Sequence, residues 1–251
     1  ADTKLTNNWS SGFTANYITT SIDKAVTSGN GLLRTVYAAP PSYDLAGIPS
    51  HVDGNPYTQN SFRGSFDNAY WAMENNKFTE DTNRFFGNVY ASYQTDFGTT
   101  NHKLNAKYMV GVDAYTTHYV DSYGYGSNTG GGRGQIENYG WTNATYNSLL
   151  TINYDWRINE DWGLNAVLGN EIIQSNRKKY YEYGTNYNFP GWNHINNATT
   201  QQTEEETWKN RTVGFFGNVS ASYKNMLYLT LTGRQDYVCL LYTSPSPRDP
   251  K

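Results

Sequence analysis

The chain holds a single cysteine, Cys239, among 251 residues. That excludes a disulfide scaffold and a cysteine-built metal cluster. Charge is scarce as well. Asp, Glu, Lys and Arg make up 16% of the residues, against about 25% in an ordinary soluble domain. The 19 basic and 22 acidic side chains leave a formal charge of -3, so no nucleic acid is expected as a partner, because phosphate recognition needs a basic patch. Apolar residues reach only 37% and the mean hydropathy is -0.75. No stretch approaches the about 18–20 apolar residues of a membrane helix, and the first residues do not read as a signal peptide. Disorder would call for few aromatics and high net charge, yet aromatics are 16%, with 23 Tyr. Catalytic signatures are missing: no His-Glu-x-x-His, cysteine pair or Gly-x-Ser-x-Gly occurs. His51, His102, His118 and His194 are scattered, and the Gly-Gly-Gly-Arg-Gly run at 130–134 lacks the Lys-Ser/Thr ending of a phosphate loop. Glu204, Glu205 and Glu206 lack the ligand spacing of a calcium site. Catalytic residues, metal ligands and cofactors are therefore all expected to be none, and the protein is not expected to be an enzyme.

What the chain does have is alternation. From 102 to 120 the even positions read Leu104, Ala106, Tyr108, Val110, Val112 and Ala114, and the odd ones Lys103, Asn105, Lys107, Met109, Gly111 and Asp113. Period two with one apolar face predicts a β-strand. The pattern recurs at 145–158 (Tyr146, Leu150, Ile152, Tyr154, Trp156) and 161–173 (Trp162, Leu164, Ala166, Leu168, Ile172). Weaker copies lie at 9–20, 84–95, 212–223 and 226–233, which makes seven predicted strands.

Their connections alternate in length. Short turns fall at 96–101, 159–160 and 224–225, and long polar connections over 21–83, 121–144 and 174–211. Outer-membrane barrels have this asymmetry, with strands of about ten residues alternating apolar-out and polar-in. The predicted polar faces carry Lys103, Lys107, Asp113, Asn147, Asp155, Arg157, Asn165 and Glu171, which suit a hydrated lumen rather than the packed second layer of a sandwich. The expected fold is all-β: a partial transmembrane antiparallel up-and-down β-barrel of about seven strands, long loops on one side and short turns on the other. Tyr93, Tyr154, Trp156, Trp162, Tyr223 and Tyr228 flank the short turns and are expected to form a membrane girdle. The competing reading is that aromatics are simply good strand formers.

Three segments carry a family resemblance: GLLRTVYAAPPSYDL at 31–45, NNKFTEDTNRFFGNVYASYQ at 75–94, and FGNVSASYKNMLYLTLTGRQD at 216–236. In this order and with these loop lengths the chain resembles, over about 9–236, the SusC/RagA-type family of TonB-dependent outer-membrane transporters. The resemblance implies the outer membrane of a Gram-negative bacterium, import of an oligosaccharide or peptide, a SusD-like surface lipoprotein as lid, and a TonB complex that pulls on a plug. Family members have that plug and a barrel of about 22 strands. Residues 1–238 are therefore expected to be an interior barrel piece without the plug. The ending CLLYTSPSPRDPK, 239–251, resembles a non-native adapter read-through, since Pro245, Pro247 and Pro250 cannot continue a central strand. Two other readings stay open: a TonB-dependent receptor for iron chelates or cobalamin, and a soluble carbohydrate-binding β-domain.

The predicted long loops are rich in aromatics. Tyr139, Trp141, Tyr187, Trp192 and Trp208 are the expected substrate contacts, because flat apolar faces beside Asn and Asp suit sugar rings or peptides. Packing of the loops against each other or against a lid protein is the alternative role for the same residues.

Overall fold

The computed structural model describes residues 1–25 and 32–243. Its elements are β1 (Asp2–Lys4), β2 (Trp9–Asp23), α1 (Leu32–Ala38), β3 (His51–Val52), β4 (Asn55–Gln59), α2 (Ala69–Asn75), β5 (Lys77–Thr95), β6 (His102–Tyr123), β7 (Gln135–Arg157), β8 (Trp162–Tyr187), β9 (Ala198–Tyr223) and β10 (Leu227–Thr243), with a 3-10 turn at Ile195–Asn197 before β9. The main sheet is antiparallel, has eight strands in the order β1-β2-β5-β6-β7-β8-β9-β10, and is open at both edges. Seven of these strands are the predicted ones; the short β1, which pairs with Ser10–Gly12 of β2, was not predicted. No described helix is long and apolar enough to cross a membrane, which says nothing about strands.

The strands run well past their predicted ends. β8 and β9 have 26 residues each, and the connections expected at 121–144 and 174–211 shrink to 124–134 and 188–197. Alternation marks a strand only where one face is apolar. Beyond that zone both faces are polar, and the β-propensity of Thr and Tyr continues the ladder without the pattern. β10 likewise runs through Cys239, which pairs with Arg211, to Thr243; the rest of the expected tail, with its three prolines, lies outside the described residues.

Cross-strand register puts all seven predicted apolar sets on one face. Trp9, Tyr93, Ala106, Ile152, Leu168 and Gly217 follow one another in register from β2 to β9. This apolar face is bare: Phe13 is 57% exposed, Val89 53%, Leu168 62% and Leu229 66%. A monomer in water rarely leaves so large a continuous apolar surface uncovered. The opposite face is polar and paired. Arg84 holds Asp113 through two hydrogen bonds of 2.8 and 2.6 Å. Arg234 reaches Glu171 at 2.7 Å and Asp236 at 3.0 Å. Asn165 donates to both Asn153 and Asp155 at 2.7 Å.

A nine-residue text, Phe-Phe-Gly-Asn-Val-x-Ala-Ser-Tyr, occurs twice, ending at Tyr93 of β5 and at Tyr223 of β9. Each terminal Tyr meets a Trp on the neighbouring strand, Trp9 at 5.0 Å and Trp162 at 4.8 Å between ring centres. Between them His102 stacks on Tyr154 and Trp156. Five of the six predicted girdle residues thus line the short-turn end of the apolar face, joined by Trp9 and His102. Tyr228 does not. The turn at Lys224 and Asn225, both at positive φ, places Leu227 in register with Tyr223, and the next residue, Tyr228, falls on the polar face.

At the other end the connection predicted as one polar loop contains α1, α2 and the β3–β4 hairpin, and among the described residues it holds three of the six buried hydrophobic side chains, Phe66, Ala69 and Trp71. Trp71 is fully buried, its indole donating to the Pro56 carbonyl at 2.8 Å. The buried Asp67 carboxylate accepts from Gln59 Nε2 (2.8 Å), Ser127 Oγ (2.6 Å) and the Asn128 N–H (2.7 Å). Asn193 reaches the Asn75 carbonyl at 2.9 Å. All three long connections are therefore tied together. Gly126 sits at φ 99° with Tyr57's carbonyl so close that a Cβ would lie 2.1 Å from its oxygen.

Candidate functional site

The polar face carries a row of rings just beyond the apolar zone, towards the long connections. Odd positions on β6, β7 and β8 and even positions on β9 share this face, so register alone brings Tyr119, Tyr139, Trp141, Arg177 and Trp208 together. Tyr119 and Tyr139 are direct partners and stack at 4.8 Å with planes 5° apart. Trp141 lies 5.5 Å from Tyr119. The Arg177 guanidinium sits between two indoles, its carbon 5.3 Å from the Trp141 ring and 5.5 Å from Trp208, within cation–π range of both. At the opposite end of the row the Lys24 ammonium lies 4.4 Å over Tyr119 and 3.5 Å from Glu80.

This row is half-buried, and the phenols feel it. Burial, then the neighbouring Asp121 carboxylate, pushes the Tyr139 hydroxyl well above the ordinary tyrosine value; it donates to Asp121 at 3.1 Å. Burial also raises Tyr119, with Glu80 adding to it. Glu137 is raised by burial and by Asp121. The tyrosines therefore stay neutral hydrogen-bond donors at physiological pH. Flat π-faces, phenolic donors and an arginine edge make a surface that can bind a ligand by stacking and hydrogen bonding.

Three of the five predicted contacts, Tyr139, Trp141 and Trp208, meet here, but on strands rather than loops. Tyr187 is fully buried against Ile136 and Ala198, and burial pushes its hydroxyl up to about 12; it is a core residue and cannot touch a ligand. Trp192 alone lies in a loop, 43% exposed, stacked on His194 at 5.0 Å and Phe189 at 5.8 Å. It does not join the row. Arg177 and Lys24 escaped the sequence reading. Arg177 stands in the polar run Asn176-Arg177-Lys178-Lys179, where only the pairing with β9 shows that it faces Trp208. Among the described residues no group of three His, Cys, Asp or Glu is placed to hold a metal ion.

The architecture is that of a partial up-and-down β-barrel whose polar face ends in an aromatic platform. No protein-family model matches the chain, and no curated protein matches it. Solved structures do. The chain superposes on a chain of the RagAB peptide importer in the closed-closed state with a TM-score of 0.72 at 14% identity, over 94% of this chain and 27% of that one. The open-open state gives 0.71 at 12% identity, over 96% and 28%, and a further RagAB peptide transporter structure 0.68 at 12%, over 94% and 27%. The fold is shared, and the chain spans little more than a quarter of the length of these relatives.

Proposed function

We propose that this chain is part of the membrane-spanning barrel of a TonB-dependent outer-membrane transporter, importing peptides or oligosaccharides together with a SusD-like surface lipoprotein. The apolar face then meets lipid and the polar face lines the lumen. It binds and passes its substrate without making or breaking a bond. The observation that carries this reading is the bare apolar face bounded by a slanted aromatic girdle. Leu168 is in register with Tyr93, six residues along β8 from Trp162. For the Trp9–Tyr93 and Trp162–Tyr223 pairs to lie at one membrane level, the strands must climb about 20 Å across about 19 Å of sheet, at about 3.3 Å per residue and 4.8 Å per strand. That is a tilt of about 45°, at the upper end of the range for outer-membrane barrels. The likeness to peptide-importer structures supports peptides as the first substrates to test. In this reading the platform of Tyr119, Tyr139, Trp141 and Trp208 holds them at the outer mouth.

Uptake of labelled oligopeptides and oligosaccharides by cells carrying the full-length transporter tests this. Accumulation that requires TonB and the co-expressed lipoprotein, with surface binding retained when TonB is removed, is the expected result. TonB-independent accumulation, or a protein that fractionates away from the outer membrane, contradicts it.

A further inference from the structure

We infer that Arg177 makes the platform selective for ligands that carry a carboxylate, an inference that rests on the platform being a substrate contact. The other arginines paired on this face are already neutralised: Arg84 by Asp113, and Arg234 by Glu171 and Asp236. Arg177 has no carboxylate partner among the described residues. Its guanidinium carbon lies 5.3 Å from the Trp141 ring on β7 and 5.5 Å from the Trp208 ring on β9, yet the residue is exposed. An indole on the strand at either side limits where the side chain can go, while its exposure leaves N–H donors open to a ligand. A guanidinium presents a planar fork that matches a carboxylate through two parallel hydrogen bonds. The neighbouring charges on this face are Lys179 and, in register with it, Glu206. Lys178 and Glu205 pair at 2.9 Å on the opposite face. The local charge thus leaves Arg177 free to take an acid from solution, while the indoles give the same ligand an apolar wall.

The carboxylate could come from a peptide, as a side chain or C-terminus, or from an acidic sugar. Four probes separate these sources on the full-length transporter: a Glu-containing amidated hexapeptide, its Gln counterpart, a galacturonate hexamer and a neutral galactose hexamer. The wild-type protein is expected to bind at least one acidic probe about tenfold tighter than its neutral counterpart, the scale of one charge-assisted hydrogen-bonded pair. The acidic probe that wins identifies the source. Arg177→Gln should abolish the discrimination, bringing the affinity for the acidic probe down to that for its neutral counterpart. Arg177→Lys should restore only part of it, because an ammonium lacks the fork. Equal affinity for acidic and neutral probes, or discrimination that survives Arg177→Gln, overturns the inference while leaving the platform intact. Binding of no probe, or binding unaffected by Trp141→Ala with Trp208→Ala, overturns the platform reading itself and the inference with it.

Discussion

Two neighbouring residues on β6 test the proposed lipid and lumen faces, one on the apolar side of the sheet and one on the polar side. Val110 is 40% exposed on the apolar face, between Val89 and Ser148 on its flanking strands. Eight residues separate it from the girdle at His102 and six from Thr116, where the face turns polar. At about 3.3 Å per residue and a tilt of about 45°, those distances are about 19 Å and about 14 Å along the membrane normal. Val110 therefore sits a few ångströms from the midplane. Val110→Arg should cost about 2–4 kcal/mol, the range for an arginine forced into lipid at that depth. Met109 faces the other way, between Tyr90 and Leu149, near Lys107 and Asp113 on a hydrated surface. Met109→Arg should cost under about 1 kcal/mol. A gap of about 2 kcal/mol is roughly a thirtyfold difference in the folding constant. Urea unfolding of the full-length protein in phospholipid vesicles, followed by the heat-modifiable band, measures it. A larger loss from Met109→Arg would mean that every facing on this strand is reversed. Two small, equal losses would mean that neither face meets lipid.

Trp71→Ala should cost about 3–5 kcal/mol within the small core formed by 51–76, opening that segment to protease while the strands stay heat-modifiable; unchanged cleavage would refute the tie between the three connections. Gly126→Val should do the same by collision with the Tyr57 backbone, with limited proteolysis again the readout. On whole cells, Asn196→Cys should react with an impermeant thiol reagent and Glu160→Cys should not; labelling at 160 without permeabilisation would invert the sidedness. Trp162→Ala should lower the unfolding midpoint more than Tyr228→Ala, because only Trp162 lies on the girdle face.

The zone with one apolar face was legible because a bare apolar side and a polar side write period two into each strand. Val110, Leu168 and Leu229 could be assigned from their neighbours alone, and register put them on one face. Outside that zone the signal disappears: Trp141 and Trp208 read as loop residues because both faces there are polar. Tyr228 was misplaced because its closeness to the turn at 224–225 was weighed without its facing, although the alternation of Leu227, Leu229 and Leu231 already puts it on the opposite face. Tyr187 follows Asn186 at φ 60°, a kink that helps turn an aromatic from the surface into the core. Arg177 was invisible for a further reason. Its partners lie 36 residues before and 31 after it in sequence, and only strand pairing brings them together.

The central claim, that one face of this sheet meets lipid and the other lines a wet lumen, is tested most directly by spin labels placed one at a time at Leu149, Leu150, Thr151, Ile152 and Asn153 of β7 in the full-length protein reconstituted in bilayers. Accessibility to oxygen should peak at 150 and 152, and accessibility to a water-soluble nickel chelate at 149, 151 and 153. Labels that show no alternation, or that all meet the chelate equally, would contradict it.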